Sequence, residues 1–218
     1  MRIPTLFLLA ALIAACGKSP DTNKPAAGPH PALETPYLAT ETAPDEFRVR
    51  FETTKGDFVV KVVREWAPHG ADRLYNLVRI GYFTDTALYR VIPGFVAQFG
   101  MHGTPDVSAV WTNAQIEADP VRLSNKRSFV TFAMIPKLGP GSRTTQLFIN
   151  LKDNTSLDKQ GFAPVGEVVE GMEVVDKFHG GYGNDVDRRA FRALGNRYIE
   201  REFPKMDFIR TATVVTPS

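Results

Sequence analysis

Short apolar runs with β-branched or aromatic members recur along most of the chain, at strand length rather than helix length. Phe47-Arg48-Val49-Arg50-Phe51 and Phe58-Val59-Val60-Lys61-Val62-Val63 flank Thr53-Thr54-Lys55-Gly56-Asp57, and the Lys-Gly-Asp turn makes them a hairpin. Leu88–Ile92 and Phe95–Phe99 flank Pro93-Gly94 in the same order of strand, tight turn, strand. Phe129–Met134, Gln146–Asn150 and Pro164–Glu170 read as further strands, and Arg210–Val215 as a closing strand that pairs back with the first. Helical spacing is rarer. Ala67-Pro68 opens a helix, proline being tolerated in the first turn, and Gly81 ends it. Its apolar face holds Ala71, Leu74, Tyr75, Leu77 and Val78. Gly171–Phe178 reads as a short second helix. Arg188–Phe203, with Phe191, Leu194, Tyr198 and Ile199 at helical spacing, reads as an extra C-terminal helical segment beside the sheet. Many strands with two or three helices predict a mainly β chain whose sheet closes into a barrel capped by helices.

The N-terminal pattern is different. Met1-Arg2 supply a positive start, and Leu6 to Ala15 form an apolar run too short to span a bilayer as a stable helix. Residues 1–15 therefore read as an export signal. Ile13-Ala14-Ala15-Cys16 resembles the bacterial lipobox, in which the cysteine becomes the lipidated first residue after cleavage. The alternative is an ordinary signal in which Cys16 is incidental. Cys16 is the only cysteine in the chain, so its lipidation leaves no thiol and no disulfide in the mature protein. The lipobox modification adds more than one acyl chain, enough to anchor a protein stably at a membrane of the cell envelope. Gly17 brings no acidic retention signal, which tilts the expectation toward the outer membrane. Lys18 to Pro44 is rich in Pro, Ala, Thr and Gly and nearly free of large apolar side chains. Residues 16–44 thus read as a lipidated cysteine and a flexible tether of polyproline character, and residues 45–218 as one folded domain.

Composition adds little except an exclusion. With 43% hydrophobic and 23% charged residues the chain is globular, and a formal charge of +2 without a dense Lys/Arg run argues against nucleic acid. No feature points to a stable oligomer, so a monomer is expected. His30 between prolines and His69 near a helix start read as solvated residues, and Trp111 as a packing anchor.

Candidate chemistry gathers in Tyr89–Gly100. Each strand of that hairpin carries one polar side chain where a buried strand would have none, Arg90 in the first and Gln98 in the second. Either both point to water from an edge hairpin, or both lie on one face beside Phe95 and arm an apolar slot. The string YRVIPGFVAQFG resembles the signature of the cyclophilin-type peptidyl-prolyl isomerases. Ser128–Ala133, Thr145–Ile149, Leu157-Asp158 and Val165–Met172 agree with later family segments in the right order, so the resemblance runs from about Phe47 to Val215. It implies an eight-stranded antiparallel closed barrel with a helix at each end. It also implies rotation of Xaa-Pro bonds in proline-containing polypeptides, a reaction that calls for no metal or cofactor.

The resemblance assigns Arg90 and Gln98 to catalysis, Arg90 as the donor to the twisted amide nitrogen and Gln98 as a partner for substrate backbone. It places Phe95, Val96, Phe148 and Leu157 around the proline ring, with Gln146 beside them. Ala133 and Met134 fall on the strand that pairs with the substrate backbone. Phe162 is the nearest match to a histidine that lines the family pocket. For Phe95, Phe148 and Leu157 the alternative is plain core packing. Two departures matter. Ser156 stands where the family has Trp or Phe closing the pocket, so weak cyclosporin binding is expected. The loop Pro136–Thr145 is longer than usual. The leading expectation is a lipid-anchored isomerase assisting the folding of exported proteins. A proline-peptide-binding scaffold lipoprotein with little turnover is the alternative, and a structural envelope lipoprotein would leave the pocket residues unexplained.

Overall fold

The computed structural model describes residues 28–215. The export signal, Cys16 and the first part of the expected tether lie outside the described residues. Among the described residues no helix is long and apolar enough to cross a membrane.

The alternating Phe47–Phe51 and Phe58–Val63 runs form the hairpin they predict. β1 (Glu46–Thr53) and β2 (Gly56–Val63) pair antiparallel from Glu46 opposite Val63 to Thr53 opposite Gly56. Gly56 sits at φ +118°, a backbone region that a side chain disfavours, which is why the turn falls there. The remaining strands are β3 (Thr86–Ala87), β4 (Arg90–Ile92), β5 (Val96–Phe99), β6 (Phe129–Phe132), β7 (Leu147–Asn150), β8 (Pro164–Glu170) and β9 (Phe208–Val215). They join in one nine-stranded sheet of order β3-β9-β1-β2-β8-β6-β7-β5-β4. As expected, the last strand returns to the first, with Phe51 opposite Ala212.

The expected closed barrel of eight strands is not formed. The sheet is a curled half-barrel whose hydrogen-bonded run has two ends, β3 and β4. These ends are neighbours in the chain, and only Leu88-Tyr89 separates them. Leu88 donates its N–H to Asp207 O (2.9 Å) and packs into the main core, whereas the Tyr89 side chain joins a second cluster outside it. The apolar run read as one strand, Leu88–Ile92, is thereby divided, and the seam is spanned by covalent chain instead of a ladder.

The main core fills the curl with Phe51, Phe58, Phe83, Phe99, Leu74, Leu77 and Trp111, each nearly or wholly excluded from solvent. Phe51 stacks on Phe58 at 4.9 Å, and Phe99 meets Phe83 edge-on at 5.7 Å. Each such ring contributes roughly 1.5–3 kcal/mol by burial. α1 (Pro68–Arg79) lays Ala71, Leu74, Leu77 and Val78 on this core, as its spacing predicts. Its N-cap Ala67 has no side chain able to cap, and Asp119 from a distant loop serves instead, accepting from His69 N and Gly70 N at 2.9 Å each. Arg143 neutralises that carboxylate at 2.9 Å with both side chains buried.

Three further elements depart from expectation. α2 (Pro105–Trp111) forms in a stretch that reads as a polar loop, and Trp111 anchors it in the core. The second capping helix shrinks to α3 (Met172–Val175). The C-terminal helical segment is two helices, α4 (Arg188–Leu194) and α5 (Asn196–Glu202), broken at Gly195 with φ +64°. A Cβ on Gly195 would come within 2.0 Å of Gly103 O, so only glycine allows the two segments to approach. Residues 31–43, inside the expected tether, run over α1 and α2. Ala32 and Ala43 are buried, Ala43 N donates to Asp72 Oδ1 (2.9 Å) and Trp111 Nε1 donates to Leu33 O (3.0 Å).

Candidate active site

β5 is buried on both faces, and the alternation of its side chains explains why. Ala97 and Phe99 point into the main core, while Val96 and Gln98 line the outer surface of the curled sheet. In the antiparallel ladder Arg90 of β4 lies opposite Gln98, and Gln98 lies opposite Phe148 of β7. Residues directly opposite share a face. The hairpin and its neighbour therefore bring a cation, an amide and a ring into one row.

Around that row stands a separate apolar cluster of Val96, Phe148 and Phe162, with Phe95, Ala133, Met134 and Leu157 packed against it half-buried. Phe148 and Phe162 meet edge-on at 5.7 Å. Every apolar side chain assigned to the slot at the sequence level is in this cluster, and none of them belongs to the main core. The Arg90 guanidinium is half-buried over the Phe95 ring, with Cζ 5.5 Å from its centroid. Its Nη1 donates to Gln98 Oε1 at 3.1 Å, and its buried Nε has no acceptor among the described residues. Burial first, and then the nearby Arg188 charge, lower the pKa of Arg90 from its ordinary value. A guanidinium starts so high that it stays charged at physiological pH.

The polar row continues past the assigned residues. Gln98 Nε2 donates to Gln146 Oε1 at 3.4 Å, and the Tyr89 hydroxyl donates to the same oxygen. Burial holds the Tyr89 phenol above its ordinary pKa, so it remains a donor. Arginine can only donate, which fixes Gln98 with its oxygen toward Arg90 and its nitrogen toward Gln146. Gln146 in turn has its oxygen occupied and its amide N–H groups without an acceptor among the described residues. Tyr89 escaped assignment because it reads as one more member of an apolar run.

The turn that carries Leu157 and Phe162 is held by a buried amide network that the sequence reading did not assign. Asp158 Oδ1 accepts from Asn125 N (2.9 Å) and Asn125 Nδ2 (2.8 Å), and Oδ2 accepts from Ser124 Oγ (2.5 Å). Burial pushes the Asp158 carboxyl up, but the hydrogen bonds from Ser124 and Asn125 outweigh it and hold the group below its ordinary value. Asn125 Nδ2 also donates to Phe162 O (2.8 Å), and Asn154 Nδ2 donates to Phe95 O (2.9 Å) and Asn150 Oδ1 (2.8 Å). The signal available was the asparagine pair at positions 150 and 154, next to a strand end and followed by the Leu-Asp pair. Ser156 lies exposed in that turn, on the Thr155–Gln160 segment.

β6 stops at Phe132, two residues short of the expected strand, and Ala133 N donates to Gln146 O at 2.8 Å. The Ala133 carbonyl and both backbone groups of Met134 have no partner among the described residues. A segment in extended conformation has an edge to pair with there.

Comparison with known proteins points to one family and one fold. The family profile described as cyclophilin type peptidyl-prolyl cis-trans isomerase/CLD matches residues 48–193. Peptidyl-prolyl cis-trans isomerase B of Escherichia coli is 32% identical over 176 residues, covering 77% of this chain and 99% of that protein. A peptidyl-prolyl cis-trans isomerase of Acinetobacter baylyi is 34% identical over 134 residues, 59% of this chain and 70% of its own length. Among solved structures, a cyclophilin type isomerase of Cryptosporidium parvum superposes with a TM-score of 0.59 at 15% identity, over 79% of this chain and 99% of that one. A further structure of the Cryptosporidium protein was obtained in the presence of the dipeptide Ala-Pro.

Proposed function

The chain belongs to the cyclophilin-type peptidyl-prolyl cis-trans isomerases, and from that premise we propose how its residues divide the work. Rotation about a peptide C–N bond meets a barrier of ~18–20 kcal/mol because the bond has partial double-bond character. Before proline both isomers are populated, yet they exchange over tens of seconds or more. In the twisted state the amide resonance is lost and the nitrogen regains a lone pair, which no planar ground state presents. A donor aimed at that lone pair stabilises the transition state selectively.

Arg90 is that donor. The observation that carries the reading is its position: half-buried over Phe95, held through Nη1 by Gln98, with Nε unpaired among the described residues, at the rim of an apolar cleft separate from the core. Val96, Phe148, Phe162 and Leu157 hold the proline ring while the preceding carbonyl swings. The free edge at Ala133 and Met134 pairs with substrate backbone. Gln98, committed to Arg90 on one side and Gln146 on the other, orients the guanidinium, and Gln146 offers its amide N–H groups to a substrate carbonyl. Binding of a proline dipeptide by this cleft is in keeping with the structure of its structural relative determined in the presence of the dipeptide Ala-Pro.

NMR exchange on a short Xaa-Pro peptide tests the assignment. Wild type should accelerate exchange, and Arg90→Ala should lower kcat/KM by about 10²–10³. Equal, slow exchange with both, accompanied by peptide binding, would favour the scaffold reading that the exposed Ser156 leaves open. The same residue underlies the expectation of weak cyclosporin binding, to be checked by titration against Ser156→Trp. The envelope role rests on the apolar run, the Ile13–Cys16 string and the composition that follows it. Cys16→Ser should move the protein from the membrane to the soluble fraction, and a variant that stays put removes the anchor from this reading.

A further inference from the structure

α4 lies against the catalytic hairpin. Phe191 is fully buried and meets the Tyr89 ring edge-on at 6.0 Å, which fixes the helix beside Arg90. Arg188, three residues earlier, places its guanidinium over the same ring with Cζ 6.0 Å from the centroid. Arg192 follows one turn later on that face and is also exposed. Three arginines thus surround Tyr89, and none of them has a carboxylate within ion-pair distance among the described residues. Elsewhere arginines find acids readily: Arg48 with Glu170, Arg64 with Asp72, Arg127 with Asp176, Arg210 with Asp85. The acid nearest in sequence, Asp187, spends Oδ1 on the backbone N–H groups of Arg189 and Ala190. Among the described residues Arg188 has only the neutral Asn184 Oδ1 as acceptor, at 2.9 Å.

We propose that Arg188, seconded by Arg192, makes this isomerase selective for polypeptides that carry an acidic side chain close to the proline. The proposal rests on the isomerase reading of the cleft. Like charges brought together without a counter-ion repel, and Arg188 stands over the ring of Tyr89, the residue next to Arg90. A carboxylate arriving on the substrate supplies the missing counter-ion, beside the cleft and clear of the proline slot. A neutral substrate leaves the repulsion in place, and a basic one adds to it.

The test measures kcat/KM by NMR exchange on peptides with Glu, Gln or Lys scanned from three residues before the proline to three after. At roughly 20 mM ionic strength the best Glu peptide should exceed its Gln counterpart about three- to fivefold, as expected for exposed charges several ångströms apart in a medium close to water. Near 0.5 M salt, where screening is short-ranged, the preference should vanish. Arg188→Glu combined with Arg192→Glu should reverse the order to favour Lys. Arg188→Gln should abolish most of the preference with less disturbance to α4. Arg197→Glu, on α5, changes the net charge equally for one site and should leave the ratio alone. Equal rates for Glu and Gln peptides in wild type, a preference insensitive to salt, or one retained in both Arg188 variants would overturn the proposal. Failure to accelerate any peptide would defeat the isomerase reading instead, so the two failures are distinct.

Discussion

A single side chain at the site carries a test that separates chemistry from binding. Arg90→Lys keeps the charge but loses the planar fork that reaches Gln98 and a second acceptor together. Its kcat/KM should stay within about tenfold of Arg90→Ala and far below wild type, since one well-placed donor contributes ~10²–10³ in rate. Peptide affinity, measured by titration at equilibrium, should change little, because Val96, Phe148 and Phe162 make the slot. Tyr89 acts one step further out. Its hydroxyl and Gln98 Nε2 share Gln146 Oε1, so Tyr89→Phe removes a half-buried bond that fixes the Gln146 amide. A hydrogen bond of this kind contributes ~0.5–1.5 kcal/mol, so kcat/KM should fall about three- to tenfold. Gln98→Ala would then lose more than Tyr89→Phe, because it frees both Arg90 and Gln146. A Tyr89→Phe enzyme with unchanged kcat/KM would show that Gln146 is held by other means.

Among the elements, those that present the site are the ones whose pattern is legible, and those that brace it are not. The Arg90/Gln98 register follows from two strands about Pro93-Gly94, and the outer face of β5 follows from period-two alternation. Phe99, on the inner face of β5, is a core residue against Phe51 (5.8 Å) and Phe83 (5.7 Å). By contrast, the Asn125–Asp158 bracing of the Leu157 turn spans 33 residues, and no local spacing encodes such a pair. The buried Arg143–Asp119 pair that caps α1 is of the same sort. Arg143→Ala leaves a buried carboxylate unpaired and should cost about 3–5 kcal/mol in urea unfolding. Asp158 sets an acid limit. Its folded pKa lies below the unfolded value of 3.8, so its contribution is present above that value and is lost as pH falls through the folded one. The stability gap between wild type and Asp158→Asn should therefore be largest near neutral pH and shrink below about pH 4. A gap that is flat across that range would assign the network's strength to Asn125 and Asn154 alone.

Over the whole molecule, the mainly β character and the chain order of eight of the nine strands were readable, but the short β3, the closure and the boundaries were not. Closure depends on where the Leu88-Tyr89 link sends its two side chains, one into each cluster, which is a tertiary choice. The N-terminal boundary misleads for a different reason: a stretch poor in large apolar residues can still dock if small ones fit and its backbone is satisfied. Ala32 and Ala43 are 0% and 5% exposed, and Asn76 makes a two-way contact with Glu41, accepting from its N–H at 2.9 Å and donating to its carbonyl at 2.7 Å. With Ala43 N on Asp72 and Trp111 Nε1 on Leu33 O, the strap closes over groups of α1 and α2 that would otherwise be left to water. A chain shortened to begin at Asp45 should consequently lose about 2–4 kcal/mol, taking each net hydrogen bond at ~1 kcal/mol. The strap touches none of the cleft side chains, so kcat/KM on a short peptide should be unchanged at a temperature where both forms are folded. A pure tether predicts stability untouched by the truncation. Restoring residues 31–44 alone, without the signal or Cys16, should bring back the full unfolding midpoint, because the contacts that hold the strap begin there.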